Sequence, residues 1–260
     1  QIYEGAALLA GATPYFLNTT PENGYSMDFS SVPEEIWQRT QLVFACSPGN
    51  PTGKVMDIEE WSHLFDLSDK YGFIIASDEC YSELYPLEHV PPLGALQVAH
   101  QLGGEDYGRL VVFNSLSKRS NVPGMRSGFV AGDEALITLF KRLRHYGGAQ
   151  VPMPIQEAST ALWQDETHVA ENRALYRAKF ALAERILGEA AARPGGGFYL
   201  WLDVGDGETA TVPAPGTVWP DERLATTLSA DSGARLRLGE LTADVAAIIT
   251  LEPDRGINPF

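Results

Sequence analysis

Cysteine is nearly absent. Cys46 and Cys80 are the only two in 260 residues, and both sit in apolar runs, LVFAC and SDEC. That argues against a disulfide scaffold or a cysteine zinc site and fits reduced core residues of a cytosolic protein. Positive charge is also scarce: 19 Lys and Arg stand against 34 Asp and Glu, a formal net charge of −15. Phosphate backbones and anionic membranes need a basic face, so nucleic-acid and membrane partners are not expected. A phosphorylated cofactor remains open, since it needs only a few local cations. No run of about 18 apolar residues occurs, so no membrane span is expected. The opening QIYEGAALLAGATPYFL has neither a basic segment nor a cleavage site. It reads as the middle of a domain, a helix-like pattern leading into a short strand.

What is present is an alternation of short apolar runs and helical patterns. QLVFACSP reads as a buried strand ended by Pro48 and Gly49. DIEEWSHLFDLSDKYG follows as a helix, with Asp57 as N-cap, Glu60 three residues on and Gly72 as its stop. FIIASDE, GRLVVFNSLS and RSGFVAGD read as three more strands, and EALITLFKRLRHYG as a helix with spacing near 3.6. Apolar strands separated by helices imply an α/β fold: a mostly parallel sheet with helices on both faces. Ligands in such sheets sit beyond the carboxyl ends of the strands. A helical stretch with a break spans about 155–192, and FYLWLDV reads as an alternating strand opening a smaller α+β domain. The expected division is therefore 1–155 as a large ligand-binding domain, 156–192 as a connecting helix and 193–260 as a small domain. Beyond Gly205 the pattern weakens: ARLRL alternates like a strand, and TADVAAIITL fits helix or strand.

Four motifs fall at the strand ends. SPGNPTG (47–53) is compatible with a plain turn before a helix. SDECY places Asp78 and Tyr81 at the end of a strand, where an acid is often only a cap. NSLSKRSNVPGMRSGF holds Ser115, Ser117, Lys118 and, eight residues after the lysine, Arg126. In an acidic chain, between two core strands, such a basic loop faces the crevice, where a desolvated amine becomes nucleophilic.

Taken together, NPTG, DECY, SLSK and the trailing arginine resemble the class I and II aminotransferases, enzymes of fold type I that use pyridoxal 5′-phosphate (PLP). The resemblance runs from about residue 1 to about residue 204. It implies that Lys118 holds the cofactor as a Schiff base and moves the proton between the substrate's α-carbon and the cofactor's C4′. It implies that Asp78 pairs with the ring nitrogen, that Asn50 and Tyr81 hydrogen-bond the phenolic oxygen, and that Ser115, Arg126 and less directly Ser117 contact the phosphate. The carboxylate-gripping arginine of the family aligns with Arg237, with Arg235 as the alternative; two surface arginines on an edge strand fit equally well. QIYEGAALLAGATPYFLN and SLSKRSNVPGMRSGFVAGD are similar to the N-succinyldiaminopimelate aminotransferases of bacterial lysine and cell-wall synthesis. That implies exchange of an amino group between glutamate and N-succinyl-2-amino-6-oxopimelate, in a cytoplasmic homodimer.

The chain departs from the family pattern in three places. The family's amino-terminal region, which supplies a lid, an aromatic over the ring and a tyrosine for the neighbouring subunit, has no counterpart. The chain therefore reads as a fragment, expected to bind PLP weakly and turn over poorly alone. The stretch after FYLWLDVGDGE is shortened before TVPAPG, and LEPDRGINPF matches no terminal helix of the family. A PLP-dependent carbon–sulfur lyase or decarboxylase would share the same core residues, as would a non-catalytic PLP-binding regulator.

Overall fold

A computed structural model describes residues 2–104, 106–148, 150–188 and 193–201, together with the backbone of three short strands nearer the carboxyl end. The chain divides into two compact units, one of Gln1–Ala181 with Arg193–Trp201, the other of Leu182–Ala192 with Leu202–Phe260.

The first unit opens with helix α1 (Ile2–Leu9) and the single turn α2 (Glu34–Trp37). Strand β1 (Leu42–Cys46), helix α3 (Ile58–Tyr71), strand β2 (Ile74–Asp78), helix α4 (Ala95–Gln101) and strand β3 (Leu110–Ser115) then alternate. The short α5 (Leu116–Arg119), strand β4 (Gly128–Gly132) and helices α6 (Glu134–Gly147), α7 (Met153–Gln164) and α8 (Thr167–Leu187) follow, the residues of α8 from Leu182 onward being counted with the second unit. The sheet order is β1-β2-β3-β4. The first three strands are parallel and β4 runs antiparallel against β3. This is the mostly parallel α/β architecture that the alternation implies.

Side-chain alternation along a strand explains the two faces. Ala45, Ile75, Leu110 and Val112 join Trp61 and Leu64 of α3 and Ala95 and Val98 of α4 in one buried cluster. On the opposite face, Phe44 stacks on Tyr3 of α1, and Phe113 meets Phe140 of α6 edge-on. Asp78 shares the parity of Ile74 and Ala76, so it belongs to this second face.

Helix α3 begins and ends as its residues dictate. The Asp57 carboxylate accepts from the Glu60 amide while the Glu60 carboxylate accepts from the Asp57 amide, a reciprocal cap. Gly72, with φ of 78°, closes the helix in the left-handed conformation.

One expectation is met in detail: the break in the long helical stretch falls at Asp165 and Glu166, between α7 and α8. Two are altered. Residues 12–20 form no strand. Residues 198–201 of FYLWLDV are not a strand, and Arg193–Trp201 belong to the first unit, whereas the sequence reading opened a separate domain at 193. The reason is local. The Gly196 amide donates to the Gly53 carbonyl at 3.0 Å and the Gly197 amide to the Leu84 carbonyl at 2.7 Å. A Cβ on Gly53 would lie 2.2 Å from Pro194 Cβ, and one on Gly196 would lie 2.4 Å from Pro48. Glycine at both positions lets this segment lie against the NPTG loop.

In the second unit, β5 (Thr217–Val218), β6 (Arg235–Leu238) and β7 (Leu241–Val245) form a sheet ordered β5-β7-β6. ARLRL is thus a strand as expected, and the start of TADVAAIITL is one too. The shortened stretch before TVPAPG and the tail LEPDRGINPF lie outside the described residues.

Candidate active site

The carboxyl ends of β1, β2 and β3 carry the chemistry. Cys46 and Asp78 are register partners across β1 and β2. Phe113 pairs with Asp78 across β2 and β3, two residues before Ser115. Ser115 is the N-cap of α5, its hydroxyl accepting from the Ser117 amide at 3.3 Å, and α5 carries Lys118. The Leu116 amide donates to the Ser127 carbonyl at 3.1 Å, and Gly128 pairs with Ser115. The antiparallel return of β4 therefore sets the backbone of Arg126 beside α5.

Each expected residue has a definite place. The Asp78 carboxylate accepts from the Tyr3 hydroxyl at 2.6 Å through Oδ2 and from the Cys80 amide at 3.2 Å through Oδ1. Asn50 Nδ2 donates to the Tyr81 hydroxyl at 3.3 Å, bringing together two residues 31 positions apart. Lys118 Nζ lies 4.7 Å above the Phe198 ring and 5.8 Å from the Tyr81 ring centre. Aromatic faces attract an ammonium without neutralising it. Arg126 is exposed, and its guanidinium donates to the Pro123 carbonyl at 2.7 Å. Arg237 and Arg235 stand two residues apart on β6, opposite Thr242 and Asp244 of β7. Their side chains lie outside the described residues.

The electrostatics follow from burial. The Tyr81 phenol is pushed far above its ordinary value, first by burial and then by its hydrogen bond with Tyr199. It therefore stays protonated and can donate. Burial, with the Asp78 charge second, pushes the Cys80 thiol up to about 12. The Tyr3 phenol is raised strongly by burial and by its bond to Asp78. Glu79 is raised by burial despite accepting from the Ala95 amide and the Ser77 hydroxyl.

Three residues of the site escaped the sequence reading: Tyr3, Phe198 and Tyr199. Tyr199 and Tyr81 share a hydrogen bond of 3.0 Å, and their rings lie 5.8 Å apart. The signal for Phe198 and Tyr199 was the glycine run before them, which marks close backbone approach. Tyr3 had no local signal.

Among the described residues no His, Cys, Asp and Glu cluster suits a metal ion. Asp78 is held by two neutral donors and meets no cation, while Lys118 lies on aromatic faces and meets no anion among the described residues. An acid and an amine that do not pair with each other, on adjoining strand ends, fit a small molecule carrying a protonated ring nitrogen and an aldehyde. PLP is such a molecule.

The family model for class I and II aminotransferases matches residues 1–214. The chain belongs to that family. Aminotransferases of these classes use PLP, the cofactor that the sequence motifs imply. An LL-diaminopimelate aminotransferase from Aquifex aeolicus (strain VF5) is 32% identical over 213 residues, which is 80% of this chain and 54% of that protein. An aminotransferase structure from Neisseria meningitidis Z2491 superposes with a TM-score of 0.75 at 52% identity, covering 80% of this chain and 53% of the other. Aminotransferase AspB from Helicobacter pylori 26695 gives 0.73 at 38%, covering 80% and 54%. The chain spans about half the length of the curated relatives it matches.

Proposed function

We propose that the protein is a PLP-dependent aminotransferase that moves an amino group between glutamate or 2-oxoglutarate and a second amino or keto acid. The observation that carries this reading is the placement of Lys118, Asp78 and the Asn50–Tyr81 pair at neighbouring strand ends, the acid and the amine each without an ionic partner among the described residues. Lys118 is the amine that carries the cofactor covalently. Its Nζ would be the group that moves the proton between the substrate's α-carbon and the cofactor's C4′. Asp78 grips the ring nitrogen and keeps it protonated. Asn50 and Tyr81 donate to the phenolic oxygen. Ser115, Ser117 and Arg126 hold the phosphate, where the planar guanidinium gives paired bonds. The cofactor itself supplies the electron sink for the carbanion. Arg237, or Arg235 in its place, takes the substrate's α-carboxylate.

For the substrate we propose N-succinyl-LL-2,6-diaminopimelate, in lysine and diaminopimelate biosynthesis, acting in a cytoplasmic homodimer. The support is the wording of residues 1–18 and 115–133. The name of the Aquifex relative points to the same branch of metabolism, with the unsubstituted diamine as its substrate. No helix among the described residues is long and apolar enough to cross a membrane.

The test is a half-reaction in the intact protein loaded with PLP. N-succinyl-LL-2,6-diaminopimelate is expected to leave pyridoxamine phosphate behind, faster than LL-2,6-diaminopimelate does. Faster conversion by the unsubstituted diamine would overturn the substrate. Release of pyruvate or ammonia would overturn aminotransfer in favour of a lyase, and a spectrum unmoved by any amino acid would favour a regulator.

A further inference from the structure

The Tyr3–Asp78 contact joins residues 75 positions apart, is 2.6 Å long and lies on the sheet face where Asp78 emerges. Nothing in the motif assignments needs it. We propose that Tyr3 is a positioning residue that aims the Asp78 carboxylate at the ring nitrogen of PLP while leaving its negative charge intact. This rests on the aminotransferase reading and adds a residue to its machinery.

The contact is built from both sides. The Tyr3 ring lies flat on Phe44 of β1, with centres 4.6 Å apart and planes 8° from parallel. Phe44 stands two residues before Cys46, the register partner of Asp78. The stack therefore fixes where the phenol points. Carboxylate oxygens have room for about four hydrogen bonds in all. Among the described residues the Tyr3 hydroxyl and the Cys80 amide take two of these places, one on each oxygen. Both donors are neutral. A lysine or arginine there would neutralise the acid; a phenol orients it and leaves its full charge for a cationic ring. Burial keeps the Tyr3 proton in place, so the residue acts only as a donor. Two donors on a short side chain restrict its rotation, and preorganised groups stabilise charge without reorientation at the moment of binding.

The experiment measures dissociation constants of the intact protein for PLP and for 1-deazapyridoxal phosphate, in which a C–H replaces the ring nitrogen. Native protein, Tyr3→Phe, Asp78→Asn and the double variant are compared. Tyr3→Phe keeps the stack on Phe44 and removes only the donor. It is expected to weaken PLP roughly tenfold, the scale of one hydrogen bond to a charged group, and to leave the deaza analogue unchanged. In the Asp78→Asn background the same substitution is expected to add nothing, as a residue acting wholly through Asp78 requires. The pH midpoint of the bound PLP's visible absorption should also shift in Tyr3→Phe. Tyr3→Leu, which deletes ring and hydroxyl, should show the same selectivity between the two ligands even if its stability falls.

Equal weakening of both ligands would make Tyr3 a packing residue and overturn the proposal. Tighter PLP binding would overturn it too, because the phenol would then be standing in the ring's place. An undiminished effect in the Asp78→Asn background would do the same. Native protein that binds neither ligand would remove the aminotransferase reading, and this proposal with it.

Discussion

Cys80 sits two residues after Asp78, half-buried, and its thiol is raised to about 12 by burial first and the neighbouring carboxylate second. A raised thiol value means less thiolate at any given pH, and the thiolate is the reactive form. Against an ordinary cysteine the ionised fraction is therefore much smaller at any mildly alkaline pH. Iodoacetamide at mildly alkaline pH should therefore leave Cys80 unmodified in the native protein while labelling it readily after urea unfolding. Asp78→Asn, by removing the second cause, should raise the native rate. Equal rates in folded and unfolded protein would contradict this. At this scale the sequence was legible where chemistry concentrates in short motifs: Asn50, Asp78, Tyr81 and Lys118 all stand at strand ends. Tyr3 and Tyr199 were not, because their partners lie 75 and 118 residues away in the chain. No periodicity or spacing rule reaches that far.

Elements inherit their ends from local chemistry, and those ends were readable. The Asp57 and Glu60 cap and the Gly72 stop of α3 are local rules that the structure follows. The start of α4 is different. Its Ala95 amide is satisfied by Glu79 Oε1 at 2.7 Å, an oxygen that also accepts from the Ser77 hydroxyl at 3.0 Å. Burial raises Glu79 above its ordinary value. A carboxyl raised on folding binds more protons folded than unfolded. Its contribution to stability is present below the unfolded value and is lost as pH rises through the folded one. Glu79→Gln keeps an oxygen for both donors and cannot ionise. Its stability relative to the native protein should thus improve between about pH 5 and about pH 8, as urea midpoints would show. A difference that does not vary with pH would contradict it. The same scale holds the clearest misreading. FYLW has the alternation of a strand, yet the Gly196 and Gly197 amides immediately before it are claimed by the Gly53 and Leu84 carbonyls. Alternation predicts a face to bury; it does not say whether a neighbouring strand is there to pair with.

For the whole molecule, three parallel strands bring segments 47–53, 78–81 and 115–126 to one edge of the sheet. The sequence implied this much, since buried apolar strands alternating with helices leave few other arrangements. It also foresaw α6 as a helix, but not that β4 would run antiparallel, because a strand's direction is set by the loop that returns it. Here the turn at Pro123–Met125 and the left-handed Arg126, with φ of 50°, reverse the chain between β3 and β4. That reversal brings the Arg126 backbone next to the helix bearing Lys118. The acidic surface, at a net charge of −15, leaves this loop as a local concentration of cations in an otherwise negative chain.

Lys118 is the proposed nucleophile. Borohydride reduction of the intact protein with PLP, followed by proteolysis and mass spectrometry of the peptides, reads it out directly. A phosphopyridoxyl group on the peptide bearing Lys118, lost in Lys118→Ala, is the predicted result. Labelling confined to other lysines, or unchanged by that substitution, would contradict it.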